Sequence, residues 1–290
     1  MVRKKKTWRI GATAVFATGL TLASRFDLAI SSALSGLKQD GETFKLTIPR
    51  FASLLEIIGE WAPSMLAATS LLIVSQNEAN SEKKYAKTMK KASYFLASGL
   101  AAYASTKTAQ YLKLPCSKLS VAMVAAVSLV IAAFMYLLIG KIPKEAKARL
   151  HYPAAYTLAA SIGVLSSVSA IKSIWGRARL RELVDRGKLE DFTPWYIPHF
   201  FSGSYSFPSG HTAHATLVMM LTSWLYGIGE KFRSAVSALC YGFIVLMAFS
   251  RLAAGAHYLS DVLFGFMIAI SIVEVAKAKL DRKLKEAKIT

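Results

Sequence analysis

Charge is scarce in this chain, and what there is leans to one sign. Of 290 residues only 18% are charged, with 17 acidic against 36 basic. Soluble domains usually carry about a quarter charged residues. With 54% apolar content and a mean hydropathy of +0.39, the expected solvent is a bilayer. Cysteine is nearly missing too: Cys116 and Cys240 form no spaced metal or redox pattern and say nothing about compartment. Internal repeats and low-complexity tracts are absent. The net charge of +19 comes without a groove-reading motif, so it is not a nucleic-acid footprint. Its basic residues are dispersed beside apolar segments, where anionic membrane lipids are the natural partners.

Long apolar runs are present in quantity. Lipid offers no partner to an unpaired backbone amide, so a crossing takes about 17 to 25 apolar residues in a helix. Residues 119–140 give the clearest run, and 92–112, 156–171, 211–228, 234–250 and 258–276 follow the same pattern. Residues 10–24 and 61–75 are shorter candidates. The expected fold is therefore all-α, a polytopic transmembrane helical bundle of about eight spans. Residues 3–24 also have the look of a secretory signal peptide, with Arg3 to Lys6 ahead of a short apolar run, but they are read here as a span. With both termini cytoplasmic, the inner segments hold 22 Lys and Arg residues and the outer segments 13, in keeping with the positive-inside rule.

Two outward-facing regions stand apart. Residues 25–60 carry a polar turn at Gln39 to Glu42, then Phe51, Leu54, Leu55, Ile57 and Ile58 beside Glu56 and Glu60. That pattern predicts an interfacial amphipathic helix, with the two carboxylates as solvated charges in preference to headgroup contacts or partners of Lys107. Residues 180–207 hold Trp195, Tyr196, Phe200, Phe201 and Tyr205 without periodicity, fitting a membrane-anchoring belt or the lining of a headgroup site. His199 is assigned no role.

Three clusters carry the chemistry: Lys172 to Arg179 (KSIWGRAR), Pro208 to His211 (PSGH) and Ser250 to Asp261 (SRLAAGAHYLSD). A phosphate monoester needs fixed donors for its oxygens. Lys172 and Arg179, seven apart across a glycine-containing turn, can present an ammonium and a guanidinium toward one point. Pro208 can open a helix whose first amides, that of Gly210 included, point outward beside the Ser209 hydroxyl. Arg251 adds a third cation. His257 and Asp261, four apart, stand side by side if Ala256 to Asp261 begins the last helix, so Asp261 can fix the tautomer that frees the other ring nitrogen for attack on phosphorus. His211 is left to protonate the departing oxygen and then to activate water. Arg177 is read as an interface cation ahead of an extra phosphate contact, and His214 as a structural histidine. No acid and histidine cluster has metal spacing, so neither metal nor cofactor is expected.

These residues resemble the type 2 phosphatidic acid phosphatase (PAP2) superfamily, whose pattern is Lys-x6-Arg-Pro, Pro-Ser-Gly-His and Ser-Arg-x5-His-x3-Asp. The second and third motifs match in full; in the first, Leu180 stands where the family usually has proline. The resemblance covers roughly residues 90–277 as a six-helix core. It leaves 1–90 as an N-terminal membrane extension with an outward-facing interfacial segment, and 278–290 as a basic cytoplasmic tail. It implies metal-independent dephosphorylation through a phosphohistidine. In that scheme His257 is the nucleophile, Asp261 its orienter, His211 the acid and base, and Lys172, Arg179, Ser209, Gly210 and Arg251 the phosphate holders. The spans argue against the soluble vanadate-binding haloperoxidase branch. Short loops favour a bacterial inner-membrane enzyme acting outside the cytoplasm on undecaprenyl pyrophosphate, phosphatidylglycerol phosphate, phosphatidic acid or a lipid A phosphate. A lipid phosphotransferase with a lipid or sugar acceptor would carry the same motifs. A non-catalytic lipid binder would need only the cations.

Overall fold

A computed structural model describes residues 2–40, 43–77, 86–115 and 117–287. Gly41 and Glu42 of the predicted polar turn, Cys116, residues 83–85 of an inner basic segment and residues 288–290 of the tail lie outside these. The chain is helical nearly throughout: α1 (Val2–Leu34), α2 (Arg50–Gln76), α3 (Ala86–Tyr111), α4 (Lys118–Lys141), α5 (Lys144–Trp175), α6 (Leu180–Arg186), α7 (Gly210–Thr216), α8 (Leu221–Trp224), α9 (Glu230–Ala253) and α10 (Leu259–Glu286). Around the polar turn the chain makes a small antiparallel hairpin of β1 (Lys38–Asp40) and β2 (Thr43–Lys45), pairing Lys38 with Lys45.

Among the described residues, five helical stretches are long and apolar enough to cross a bilayer: α2, α4, α9, α10 and the run Lys144–Arg186 that contains α5 and α6. They contain the predicted spans 61–75, 119–140, 156–171 and 234–250, and all of 258–276 but its first residue. Residues 10–24, and 92–112 up to Tyr111, lie in continuous helices, α1 and α3, that are not among the five. Residues 211–228 do not form one helix. After α7 the backbone tightens into a 3-10 turn at Leu217–Met220 before α8. There the Thr222 hydroxyl takes the Met219 carbonyl at 2.8 Å and the Cys240 thiol takes that of Val218 at 3.4 Å, so these carbonyls are satisfied by side chains as well as by the backbone. The clearest apolar run behaves as lipid-facing helix: Leu119, Val121, Met123, Val130, Phe134 and Leu137 of α4 are all exposed.

The expected interfacial helix and the span after it are one helix, α2, which runs on through Pro63. Glu56 and Glu60 are accordingly not solvated interface charges. Both are buried, and the Tyr111 hydroxyl donates to Glu60 at 3.3 Å. The ammonium of Lys107 sits 5.8 Å from the centroid of the Tyr103 ring.

The chain forms two compact units. One comprises Leu55–Val164, His214–Ile244 and Ala269–Thr290. Small and branched residues let its helices approach closely, with Ala68, Leu72, Ile73, Ala97, Ile139 and Ala154 at the core. Hydroxyls bond across its helices, Ser93 to Ser75 at 2.7 Å and Ser128 to Ser105 at 3.1 Å. The other unit comprises Met1–Leu54, Leu165–Ala213 and Val245–Ile268, and contains every candidate site residue. Its core gathers Leu180, Val184 and Tyr258 with Leu28, Leu37, Phe44 and Leu46 from the N-terminal segment. Trp195 belongs here and not to an exposed aromatic belt: its ring lies 4.8 Å from that of Phe264, and its indole N–H donates to Ser24 at 3.0 Å. Tyr196, Phe200, Phe201 and Tyr205 do stay exposed.

Candidate active site

Backbone hydrogen bonds draw the three clusters together. Lys172 lies in the last turn of α5, and the chain reverses at Gly176, whose φ is +68°. A Cβ there would lie 2.8 Å from Ser202 Oγ and 3.1 Å from the His199 carbonyl, so the turn requires glycine. Arg179 precedes α6 as its N-cap residue, and its N–H donates to Glu182 at 3.2 Å. Leu180 then occupies the first helical position, fully buried. Proline is favoured at that position, so leucine in its place leaves the helix start where a proline would put it. Arg181 N donates to the Gly255 carbonyl at 2.9 Å, joining the first cluster to the third, and Ser209 N donates to the Asp261 carbonyl at 2.8 Å, joining the second. This last approach depends on a residue outside all three clusters: a Cβ on Gly265 of α10 would fall 2.4 Å from the Ser209 carbonyl.

Several expected details shift. The second-cluster helix opens at Gly210 and not at Pro208. Ser209 is buried and caps it, accepting from Thr212 N at 3.4 Å and pairing with the Thr212 hydroxyl at 3.0 Å. His211 stands in the first turn of that helix. The Lys172 ammonium donates to the Tyr205 carbonyl at 2.5 Å, and its Cε lies 3.4 Å from where a Gly210 Cβ would be. Arg251 is fully buried in the last turn of α9, donating to the Ala52 carbonyl at 2.6 Å and the Ser250 hydroxyl at 3.1 Å. Its own carbonyl accepts from His257 N at 3.3 Å. The last helix begins at Leu259, so His257 lies outside it. The Asp261 carboxylate reaches back to Tyr258 N at 2.9 Å, as the third residue of a capping box does, and this still brings Oδ2 to 3.5 Å from His257 Nδ1. That separation is long for a hydrogen bond, as is common before substrate binds.

Arg177 is not an interface cation. Its side chain is 0% exposed, and one guanidinium nitrogen donates to Asp261 Oδ1 at 2.7 Å and Ser260 Oγ at 2.8 Å. Its Nε donates to the Thr193 carbonyl at 2.9 Å, and its remaining nitrogen meets Asp27 Oδ2 at 2.9 Å. The guanidinium also lies 4.1 Å from the centroid of the Tyr258 ring. The Ser206 hydroxyl donates to Asp261 Oδ2 at 2.5 Å. Asp261 is thus held by Arg177, Ser206 and a backbone amide while facing His257. Arg177, Asp27, Ser206 and Gly265 were not assigned site roles from the sequence. A basic residue in the first cluster was the one signal for Arg177; for Asp27, 234 residues before Asp261, no local spacing exists.

Burial pushes the His257 imidazole well below its ordinary value of 6.5. The Asp261 carboxylate works against that, while the charges of Lys172 and Arg179 add to it. The site therefore holds a neutral imidazole beside a carboxylate, within the field of two cations. Such a set can bind a phosphoryl dianion and attack it.

Residues 148–284 match the family model described as the PAP2 superfamily. Among curated proteins, phosphatidylglycerophosphatase B of Bacillus subtilis (strain 168) is 31% identical over 116 residues, which is 39% of this chain and 57% of that protein. The match thus spans a little over half the length of that relative. No solved structure gives a significant match. The three motifs, their joining through Asp261 and the matched residues point one way: over residues 148–284 this chain is similar to the PAP2 superfamily.

Proposed function

We propose that this protein is an integral membrane lipid phosphatase that hydrolyses a phosphate monoester or pyrophosphate through a phosphohistidine at His257. The observation that carries the reading is the His257 and Asp261 pair, 3.5 Å apart, with Arg177 behind the carboxylate and Lys172 and Arg179 acting on the imidazole. Lys172, Arg179 and Arg251, with the Ser209 and Gly210 turn, hold the phosphate oxygens. His257 Nδ1–H points to Asp261, so Nε2 attacks phosphorus. The N–P bond forms as the P–O bond to the lipid breaks, and His211 gives its proton to the departing oxygen. Water then attacks phosphorus, His211 takes its proton, and the N–P bond breaks to return His257 and release phosphate. The three cations supply the charge that a metal supplies elsewhere, so the proposed turnover is metal-independent.

The substrate class rests on the spans and on the relative's name, which points first to phosphatidylglycerol phosphate. Undecaprenyl pyrophosphate, phosphatidic acid and lipid A phosphates have the same reacting group. The excess of Lys and Arg in the inner segments supports a non-cytoplasmic site, cytoplasmic termini and, for a bacterial chain, the inner membrane. Residues 91–277 form the catalytic core in this reading, and 1–90 the extension. The test is phosphate release by purified protein from a panel of these lipids and a soluble sugar phosphate, with and without EDTA and with and without a lipid or sugar acceptor. Release from a lipid in EDTA supports the proposal. Faster turnover of the sugar phosphate overturns the lipid assignment, phosphate that appears only on the acceptor overturns hydrolysis, and loss in EDTA restored by Mg2+ overturns metal independence.

A further inference from the structure

We infer that Asp27 of α1, far outside the matched residues 148–284, is a positioning residue for the chemistry at His257, acting through Arg177 on Asp261. The inference rests on the phosphatase reading of the site. Asp27 is 3% exposed and makes two different attachments. Its Oδ2 meets Arg177 at 2.9 Å, and the opposite nitrogen of that guanidinium meets Asp261 Oδ1 at 2.7 Å. Its Oδ1 accepts from Ser260 N at 3.0 Å, and its Oδ2 also accepts from the Ser260 hydroxyl. Asp27 therefore grips both the cation behind Asp261 and the residue beside Asp261 in the chain.

Charge accounting gives this grip a chemical consequence. Arg177 alone with Asp261 would be a neutral buried pair, and its full positive charge would fall on the carboxylate that orients His257. Asp27 takes a share of that charge and leaves the group of three with one net negative charge. That excess favours positive charge on the His257 ring, which grows as the N–P bond forms and the lipid oxygen leaves. The other charged groups facing His257 are Lys172 and Arg179, with Glu182 beside Arg179, while the backbone carbonyl of Arg251 accepts from its N–H. Lys172 and Arg179 oppose positive charge on the ring, so the counterweight has to come from the Asp261 side.

The test compares full-length protein and variants in phosphate release from phosphatidylglycerol phosphate across pH. Asp27→Asn is expected to lower kcat about 10- to 100-fold with KM changed less than about 3-fold. Unshared Arg177 charge disfavours the imidazolium, so the acid limb of kcat/KM should also move to lower pH. Asp27→Glu should restore most of kcat and return the limb. A purely structural role predicts less folded protein but wild-type kcat per folded molecule and an unmoved limb, and that result overturns the inference. If Asp27→Asn does not fold, Ser260→Ala replaces it, because it loosens the grip while keeping every charge. It should lower kcat about 3- to 10-fold at unchanged KM, and wild-type kcat would count against the inference. Wild-type protein that releases phosphate from no lipid overturns the phosphatase reading itself. Wild-type protein that does so beside an Asp27→Asn variant indistinguishable from it overturns only the role of Asp27.

Discussion

Oδ1 of Asp261 looks onto Arg177 and, past it, Asp27; Oδ2 looks onto Ser206, the Tyr258 amide and His257. The region behind Oδ1 is closed, with a guanidinium that is 0% exposed and partnered by two carboxylates, a hydroxyl and a carbonyl. The region in front is more open. Lys172 and Arg179 are half-buried, and the Arg179 side chain keeps 26% exposure, with Glu182 as a distant partner at 3.7 Å. Arg177 and Arg179 lie two residues apart in one turn, yet the first is enclosed by two carboxylates and the second stays partly exposed. The difference teaches that the proposed phosphate site combines two sorts of cation. Of the cations proposed to meet substrate, Lys172 and Arg179 keep some exposure, whereas the one that fixes the orienting carboxylate is enclosed.

The largest effect expected is at the boundary of the two regions. His257→Ala should lower phosphate release at least about 10³-fold and abolish any acid-labile phosphoenzyme, while leaving thermal unfolding near wild type. Near-wild-type turnover would sink the nucleophile assignment. The two arginines then separate by kind of damage. Arg177→Met strands two buried carboxylates, a loss of about 3 to 5 kcal/mol by analogy with other buried pairs broken on one side. Arg179→Met removes a partly exposed charge and should cost the fold under about 1 kcal/mol while raising KM for the lipid phosphate. Denaturant or thermal melts beside kinetics would check both. Equal destabilisation by the two would erase the distinction between closed and open regions.

The three motif clusters were the part legible in the sequence. Lys172, Arg179, Ser209, His211, Arg251, His257 and Asp261 are chemistry-bearing residues at fixed short spacings, and short spacings survive when a chain is read linearly. The closed region was hidden because its partners are distant: Asp27 and Asp261 are 234 residues apart, and the Ala52 carbonyl that receives Arg251 is 199 residues from it. Arg177 was visible but misjudged, since an arginine beside apolar residues reads equally as interface charge until its carboxylates are seen. Helical character was legible from apolar content, whereas the break inside 211–228 was not, because side chains that take helix carbonyls leave hydropathy unchanged. Glu56 and Glu60 misled in the same way, polar on paper and buried in α2.

Gly265 tests whether the open region depends on α10 as closely as the closed one does. Gly265→Ala places a methyl 2.4 Å from the Ser209 carbonyl, and backbone cannot yield as a flexible side chain can. An overpacking loss of about 1 to 3 kcal/mol is expected, with kcat/KM reduced because Ser209 and His211 move together. A variant as stable and active as wild type would show that α10 and the second-cluster turn are free to part. The pH profile supplies a milder probe. Attack needs neutral His257, and burial lowers its affinity for a proton from the ordinary 6.5, so its acid limb in kcat/KM should lie well below pH 6.5. Folding follows the same sign. The unfolded chain takes up this proton near 6.5 and the folded chain only at lower pH, so this group's contribution to stability declines as pH falls below 6.5. An acid limb from His257 at or above 6.5 would place the imidazole in the open region's solvent.

The smallest effect belongs to the position where the first motif is irregular. Leu180 sits at the first helical position of α6, after Arg179 in an extended conformation with φ −82° and ψ 153°. Proline tolerates that position, and the residue before a proline prefers just such extended backbone. Leu180→Pro should therefore keep the turn and leave kcat/KM within about 3-fold of wild type. What it loses is packing, because Leu180 is fully buried against Tyr258, Val184, Leu28 and Phe44. Lost apolar contact and the gain from a stiffer unfolded chain oppose each other, at about 1 to 2 kcal/mol and about 0.5 to 1 kcal/mol, so a slight fall in melting temperature is expected. A large drop in activity without a matching drop in stability would mean that leucine sets the orientation of Arg179, and that position 180 belongs to the open region and not to the packing behind it.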